Sequence, residues 1–180
     1  MLASAMRDLN QSRSWRAALQ SQAVQRGKET SVYQNIICAI DGSELSTKAL
    51  RHALALAAKT DGKLTVVTVT EPSVILAPGA EMMMVDTSSI IADLDKAKEE
   101  SAKLTLAEAE TIAQASNIAI TKQYVANSTA ADGIIHAAKQ ANADLIVMGS
   151  HGRRGLGRLL LGSQAAEVLS HTDLPVLIVK

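Results

Sequence analysis

Glycines stand at 149, 152, 155, 157 and 162, arginines at 153, 154 and 158, and no acidic residue falls between them. The last glycine is followed by Ser163, a residue type suited to opening a helix. Glycine lets backbone N–H groups approach a ligand closely, and a helix N-terminus presents unpaired donors at positive potential. The segment therefore reads as a cradle for phosphate oxygens; Arg153, Arg154 and Arg158 are either solvated, or one of them, with Arg153 the candidate, reaches a phosphate. It is not a P-loop, because no Gly-Lys-Ser/Thr occurs. It is not the dinucleotide fingerprint either: Gly155 and Gly157 are spaced as G-x-G, but Leu160 stands where the third glycine belongs.

Asp41, in the run Asp41-Gly42-Ser43, has two readings: the carboxylate of a strand-to-helix turn, or an acceptor for a base or sugar hydroxyl. The two are compatible through different oxygens. Ser163 lies outside any G-x-S-x-G and has no histidine placed as its base, so it reads as a hydroxyl donor to phosphate rather than a nucleophile. His151 lacks a His, Cys or carboxylate neighbour at ligand spacing; it reads as an exposed loop histidine, with a phosphate contact as the alternative. Cys38, the single cysteine, sits mid-strand and reads as a small core residue; it excludes an internal disulfide and suits a reducing compartment. The cluster Met82-Met83-Met84 reads as a flap or a partner contact.

The elements that position these residues follow from periodicity. Apolar runs predict strands at 35–41, 63–70, 118–125, 144–148 and 174–179. Between them the spacing predicts helices over 44–59, 90–116, 129–141 and 163–170, with Ser43 and Ser128 as caps of the first and third. Ala49, Leu50, Ala53, Leu54 and Ala57 form the inner face of the first helix. Leu94, Ala97, Leu104, Ala109 and Ile112 are the apolar positions of the second, and Ile134, Ile135 and Ala138 face in from the third. Residues 71–86 read as a mobile connection. Strict β-α alternation with apolar strands implies a parallel sheet covered on both faces, wound in right-handed crossovers. Ligands in such sheets sit beyond the strand C-termini where the strand order reverses. If the first and fourth strands are neighbours, Asp41 and Met148-Gly149 face one crevice.

The 180 residues suffice for one α/β domain. Hydrophobic residues reach 47% with 2% aromatic and no phenylalanine, so the core is expected to be aliphatic and alanine-rich. Eighteen basic residues balance eighteen acidic ones, which removes the electrostatic case for nucleic acid or an anionic membrane as a general partner. No apolar run approaches the roughly 18 residues of a membrane span. Residues 1–31 differ in composition, rich in Arg, Ser, Gln and Ala. They read as a flexible or loosely helical extension before a domain at 32–180; an organellar transit peptide and a native start at Val32 are the alternatives.

Three segments in order, Ile36-Ile37-Cys38-Ala39-Ile40-Asp41-Gly42-Ser43, Gly149-x2-Gly152-x9-Gly162-Ser163 and Leu174-Pro175-Val176-Leu177-Ile178-Val179, resemble the universal stress protein family, ATP-binding branch. The resemblance covers Val32 to Lys180. It implies a doubly wound five-stranded parallel sheet of order 3-2-1-4-5, a Rossmann-like layer binding ATP. By position, Asp41 resembles the residue at the adenine or ribose end, with Ala39 lining the pocket and Val69 presenting backbone to the adenine edge. Met148 and Gly149 resemble positions along the nucleoside. Gly152, Gly162, Ser163 and Gln164 resemble the phosphate contacts. The chain departs from the family pattern at Ala126-Asn127, where a glycine is common. The resemblance further implies a homodimer through the last strand, Val176–Val179, whose apolar edge invites pairing. The expected role is a cytoplasmic, ATP-occupied regulatory module in stress response, with any Mg²⁺ held by the phosphates. A cradle without a catalytic base favours holding ATP over hydrolysing it. A slow ATPase or phosphotransferase, a cyclic-AMP-binding protein and a nucleotide-free scaffold are the alternatives.

Overall fold

The computed structural model describes residues 32–74, 88–152 and 161–180. The expectations for 1–31, for Met82-Met83-Met84 and for Arg153, Arg154 and Arg158 lie outside the described residues. Five strands, β1 (Asn35–Ala39), β2 (Lys63–Val69), β3 (Ile120–Val125), β4 (Leu145–Gly149) and β5 (Val176–Val179), form one sheet of order β3-β2-β1-β4-β5. Every pairing is parallel. Among the described residues four helices connect them: α1 (Glu44–Thr60), α2 (Ser88–Ala115), α3 (Ala130–Gln140) and α4 (Ser163–His171).

The sheet is buried on both faces because its central strands are apolar at successive positions. Ile36, Cys38, Leu64, Val66, Leu145 and Val147 pack with α1 and α2. Ile37, Ala39, Val67, Ile146 and Met148 pack with α3 and α4. The alternation follows from the two-residue period of a strand. Apart from Cys38 and Met148 the core is Ile, Leu, Val and Ala, as the missing phenylalanine requires. Small Ala49, Ala53 and Ala57 on the inner stripe of α1 let that helix lie close to the sheet. Cys38 is fully buried, and desolvation pushes its thiol far above the usual range. Native protein at pH 8 is therefore expected to resist alkylation by iodoacetamide, whereas urea-unfolded protein reacts; labelling of the folded chain would contradict this burial.

The boundaries differ from the sequence expectation where polar groups decide them. Ile118 does not begin β3. The Ile118 N–H donates to the Ala113 carbonyl at 3.1 Å and the Asn117 N–H to Gln114 at 3.0 Å, while Asn117 is left-handed (φ 54°). This is a Schellman closure of α2. The cap of α3 is Thr129, not Ser128. Thr129 Oγ1 accepts from the Asp132 N–H at 3.1 Å, whereas the Ser128 N–H is committed to the Thr70 carbonyl at 3.2 Å. Asp144 is not a strand residue: its carboxylate accepts from the Gln34 and Asn35 N–H groups at 2.6 and 3.1 Å and fixes the start of β1 beside β4. β5 begins at Val176 rather than Leu174, with the Pro175 carbonyl accepting from Ile146 N–H at 3.0 Å. The buried stripe of α2 is Ala102, Leu106, Ala109 and Ala113; Leu94 and Leu104 are exposed. Asn127 adopts φ 55°, so an asparagine fills the left-handed position after β3.

Candidate functional site

The sheet order places the crevice. β1 pairs with β2 on one side and β4 on the other, so the winding reverses between β1 and β4. Their carboxyl ends deliver Asp41 and Gly149-Ser150 to the same point. Ala39, Val69 and Met148 share the face covered by α3 and α4, and a cavity of about 140 Å³ opens there, lined by these three, Val67, Ala130 and Ile134. It adjoins a wider cleft of about 890 Å³. Asp41, Val69, His151, Gly152, Gly162 and Gln164 line both. Gly149 lines the inner cavity and Ser163 the outer cleft. The structure thus brings together nine of the residues singled out from sequence; the tenth, Arg153, lies outside the described residues.

Each is held by local bonding. Asp41 lies just past β1, where Ile40 N–H still donates to the Val67 carbonyl at 2.9 Å. Its Oδ1 accepts from the Ser43 N–H at 3.0 Å, closing a turn around Gly42 (φ 81°). The cap of α1 is Ser43, whose Oγ accepts from the Ser46 N–H at 3.2 Å. Of the two readings of Asp41, the turn is therefore present, through one oxygen. Its Oδ2 packs against Gly152: a Cβ built on Gly152 would lie 2.7 Å from it. Glycine at 152 leaves room for this carboxylate in the wall of the crevice.

β4 exits through buried Ser150. The Ser150 N–H donates to the Val179 carbonyl at 2.8 Å, its carbonyl accepts from the Gly162 N–H at 2.9 Å, and its hydroxyl meets His151 Nδ1 at 3.2 Å. These bonds tie β4, β5 and the start of α4 into one unit. His151 is consequently half-buried and lines the crevice, instead of standing free on a loop. Gly162 is the N-cap of α4, and no side chain caps that helix among the described residues. Its first-turn N–H groups form the positive end of the helix, and Gly162, Ser163 and Gln164 line the outer cleft there. A Cβ on Gly162 would come 2.8 Å from the Ser150 carbonyl, so its glycine is required by the chain itself and not only by a ligand path.

Three features were not legible from local sequence. Gln164 Oε1 accepts from the Ala131 N–H at 3.1 Å, so this side chain locks α4 to the first turn of α3. Gly133, a helix-interior glycine, seats α3 on β2: a Cβ there would meet Val69 Cγ1 at 2.6 Å. Lys98 of α2, 29 residues beyond the end of β2, lines the outer cleft and donates to the Glu71 carbonyl at 2.7 Å. Among the described residues no cluster of His, Cys, Asp or Glu could hold a metal ion, and no helix is long and apolar enough to cross a membrane.

The sequence profile of the universal stress protein family matches residues 32–180. The chain belongs to the universal stress protein family. Universal stress protein MJ0531 of Methanocaldococcus jannaschii is 31% identical over 150 residues, covering 83% of this chain and 84% of that protein. Universal stress protein YxiE of Bacillus subtilis is 31% identical, covering 83% of this chain and all of that one. Among solved structures, a universal stress protein in complex with cAMP superposes with a TM-score of 0.60 at 26% identity, over 83% of this chain and 98% of the other. Hypothetical protein MJ0577 shares the fold at a TM-score of 0.69 and 23% identity, over 83% and 96% of the two chains. The universal stress protein sheet order 3-2-1-4-5, expected from the resemblance, is the order observed.

Proposed function

We propose that this universal stress protein is a regulatory module that binds ATP and signals by occupancy. One observation carries the reading. The N-terminus of α4, whose N-cap Gly162 has no side chain, Asp41 and the apolar floor of Ala39, Val69 and Met148 converge on one glycine-lined crevice at the strand-order reversal. The floor suits an adenine, Asp41 a ribose or base donor, and the α4 terminus a phosphate tail. Gly152, Gly162, Ser163 and Gln164 contact the phosphates chiefly through backbone N–H groups, joined by Arg153. A Mg²⁺ ion would be held by phosphates and water, since the protein offers no cluster of ligands among the described residues. The exposed apolar edge of β5, with Leu177 38% accessible, pairs with a second copy to give a homodimer in the cytoplasm.

A solved relative in complex with cAMP gives a second ligand a specific claim on the site. Mass spectrometry of the small molecules released on denaturing freshly purified protein decides between them. ATP in near-stoichiometric amount supports the proposal, cyclic AMP supports the alternative, and a protein that carries neither and takes up neither when soaked contradicts both.

A further inference from the structure

We infer that His151 is a nucleotide-binding residue whose Nε2–H donates to the phosphate next to the sugar. This rests on the nucleotide-binding reading and adds a side-chain donor to it. Three observations carry it. First, His151 stands where the two spaces join: it lines both the cavity of about 140 Å³ and the cleft of about 890 Å³. With a nucleoside in the inner cavity and a phosphate tail in the outer cleft, the phosphate bonded to the sugar is the group at this junction. Second, the ring edge that carries Nε2 adjoins the helix end which that reading gives to the phosphates. A Cβ built on Gly162, the N-cap of α4, would lie 3.4 Å from His151 Cδ2, the ring carbon bonded to Nε2. Third, the ring is anchored by its other nitrogen. Nδ1 meets Ser150 Oγ at 3.2 Å, and the side chain makes no further bond among the described residues.

The Ser150 bond sets where the proton sits. Ser150 is buried, its N–H and carbonyl are engaged by Val179 and Gly162, and its hydroxyl has the imidazole as its partner among the described residues. A buried hydroxyl donates where it finds an acceptor. Ser150 Oγ–H therefore donates to Nδ1, and the neutral ring carries its proton on Nε2, since the bond made by one ring nitrogen decides the state of the other. A protonated ring also carries a proton there. In both states Nε2 is a donor. It is reachable as well. Among the described residues, the buried side-chain polar atom without a partner is Ser73 Oγ, so the unpartnered Nε2 of half-buried His151 is open at the surface. The protein thus holds one nitrogen of the ring and leaves the other to a ligand oxygen.

Calorimetric titration of adenosine, AMP and ATP into wild type, His151→Asn and His151→Gln tests this. An asparagine amide stands in for Nδ1 and keeps the Ser150 contact, whereas a glutamine amide reaches the position of Nε2 with an N–H donor. The expected result for His151→Asn is a loss of about 10- to 100-fold in affinity for AMP and ATP and none for adenosine, with His151→Gln retaining most of the affinity for all three. An equal loss for adenosine and AMP marks a structural role and overturns the assignment. Unchanged AMP affinity in His151→Asn overturns it while leaving the nucleotide site standing. A wild type that binds none of the three removes the site and the assignment together. Should His151→Asn not fold, nitrogen NMR of histidine-labelled wild type provides the comparison, the His151 signal being identified by its absence in His151→Gln. An Nε2 resonance that moves with AMP and not with adenosine supports the assignment, and one that moves with neither overturns it.

Discussion

Gly152→Val is expected to lower ATP affinity by about a hundredfold or more, equivalent to about 3 kcal/mol, while moving the melting temperature little. The reason is directional. Gly152 has an exposed backbone, and a Cβ there points at Asp41 Oδ2, which it would approach to 2.7 Å. The branched side chain therefore enters the crevice over the carboxylate and leaves the sheet untouched. Gly162→Val is expected to behave differently, although the two glycines look equivalent in the signature. At Gly162, φ −63° and ψ 151° suit any residue, so the obstacle is steric. The Cβ would run into the Ser150 carbonyl at 2.8 Å, the acceptor of Gly162's own N–H, and His151 at 3.4 Å. Relief requires breaking the bond that holds α4 to β4, so binding and stability should fall together. The structure turns a side chain at 162 toward Ser150 and His151. Titration paired with thermal melting of both variants checks the contrast, and a Gly152→Val protein that binds ATP normally would contradict it.

Asp41→Ala is expected to weaken ATP binding by about 1–3 kcal/mol, roughly 5- to 150-fold. Two effects add. The charged acceptor facing the crevice is lost, and so is the Oδ1 bond that holds the Ser43 N–H at the entrance to α1. Asp41→Asn separates them, because an amide oxygen still closes the turn while the negative charge is gone. Affinity that falls in both variants with an unchanged melting temperature in Asp41→Asn assigns the carboxylate to the ligand. Affinity that falls only in Asp41→Ala, in step with stability, reduces it to a turn residue.

Much of the architecture is legible because its signals are local. Alternating β and α segments, the Ser43 cap and the Asp61-Gly62 stop of α1 are written within a few residues of where they act. The crevice is legible for the same reason: Asp41 and Gly149 end their strands, and parallel winding brings strand ends together. What escapes local reading is set by residues distant in sequence. Ser128 and Thr129 are both competent caps; Thr129 takes the role, its Oγ1 accepting from the Asp132 N–H, while the Ser128 N–H joins Thr70 past the end of β2. The phase of α2 is ambiguous because it carries apolar residues on more than one face; contact with the sheet selects Ala102, Leu106, Ala109 and Ala113 and leaves Leu104 73% accessible. Gly133 looks like a weakness in a helix until Val69 is seen beside it. His151, isolated in sequence, becomes part of the wall through Ser150.

The central claim is that the first turn of α4 and Gly152 form a preorganised cradle for the phosphate tail of an adenine nucleotide whose ribose or base meets Asp41. Isothermal titration of ATP into the folded, nucleotide-stripped full-length protein tests it most directly. A saturable exothermic isotherm with one site per chain, weakened in Gly152→Val, is the predicted result. No heat of binding at saturating ATP, from protein whose circular dichroism and melting are those of the folded state, would contradict it.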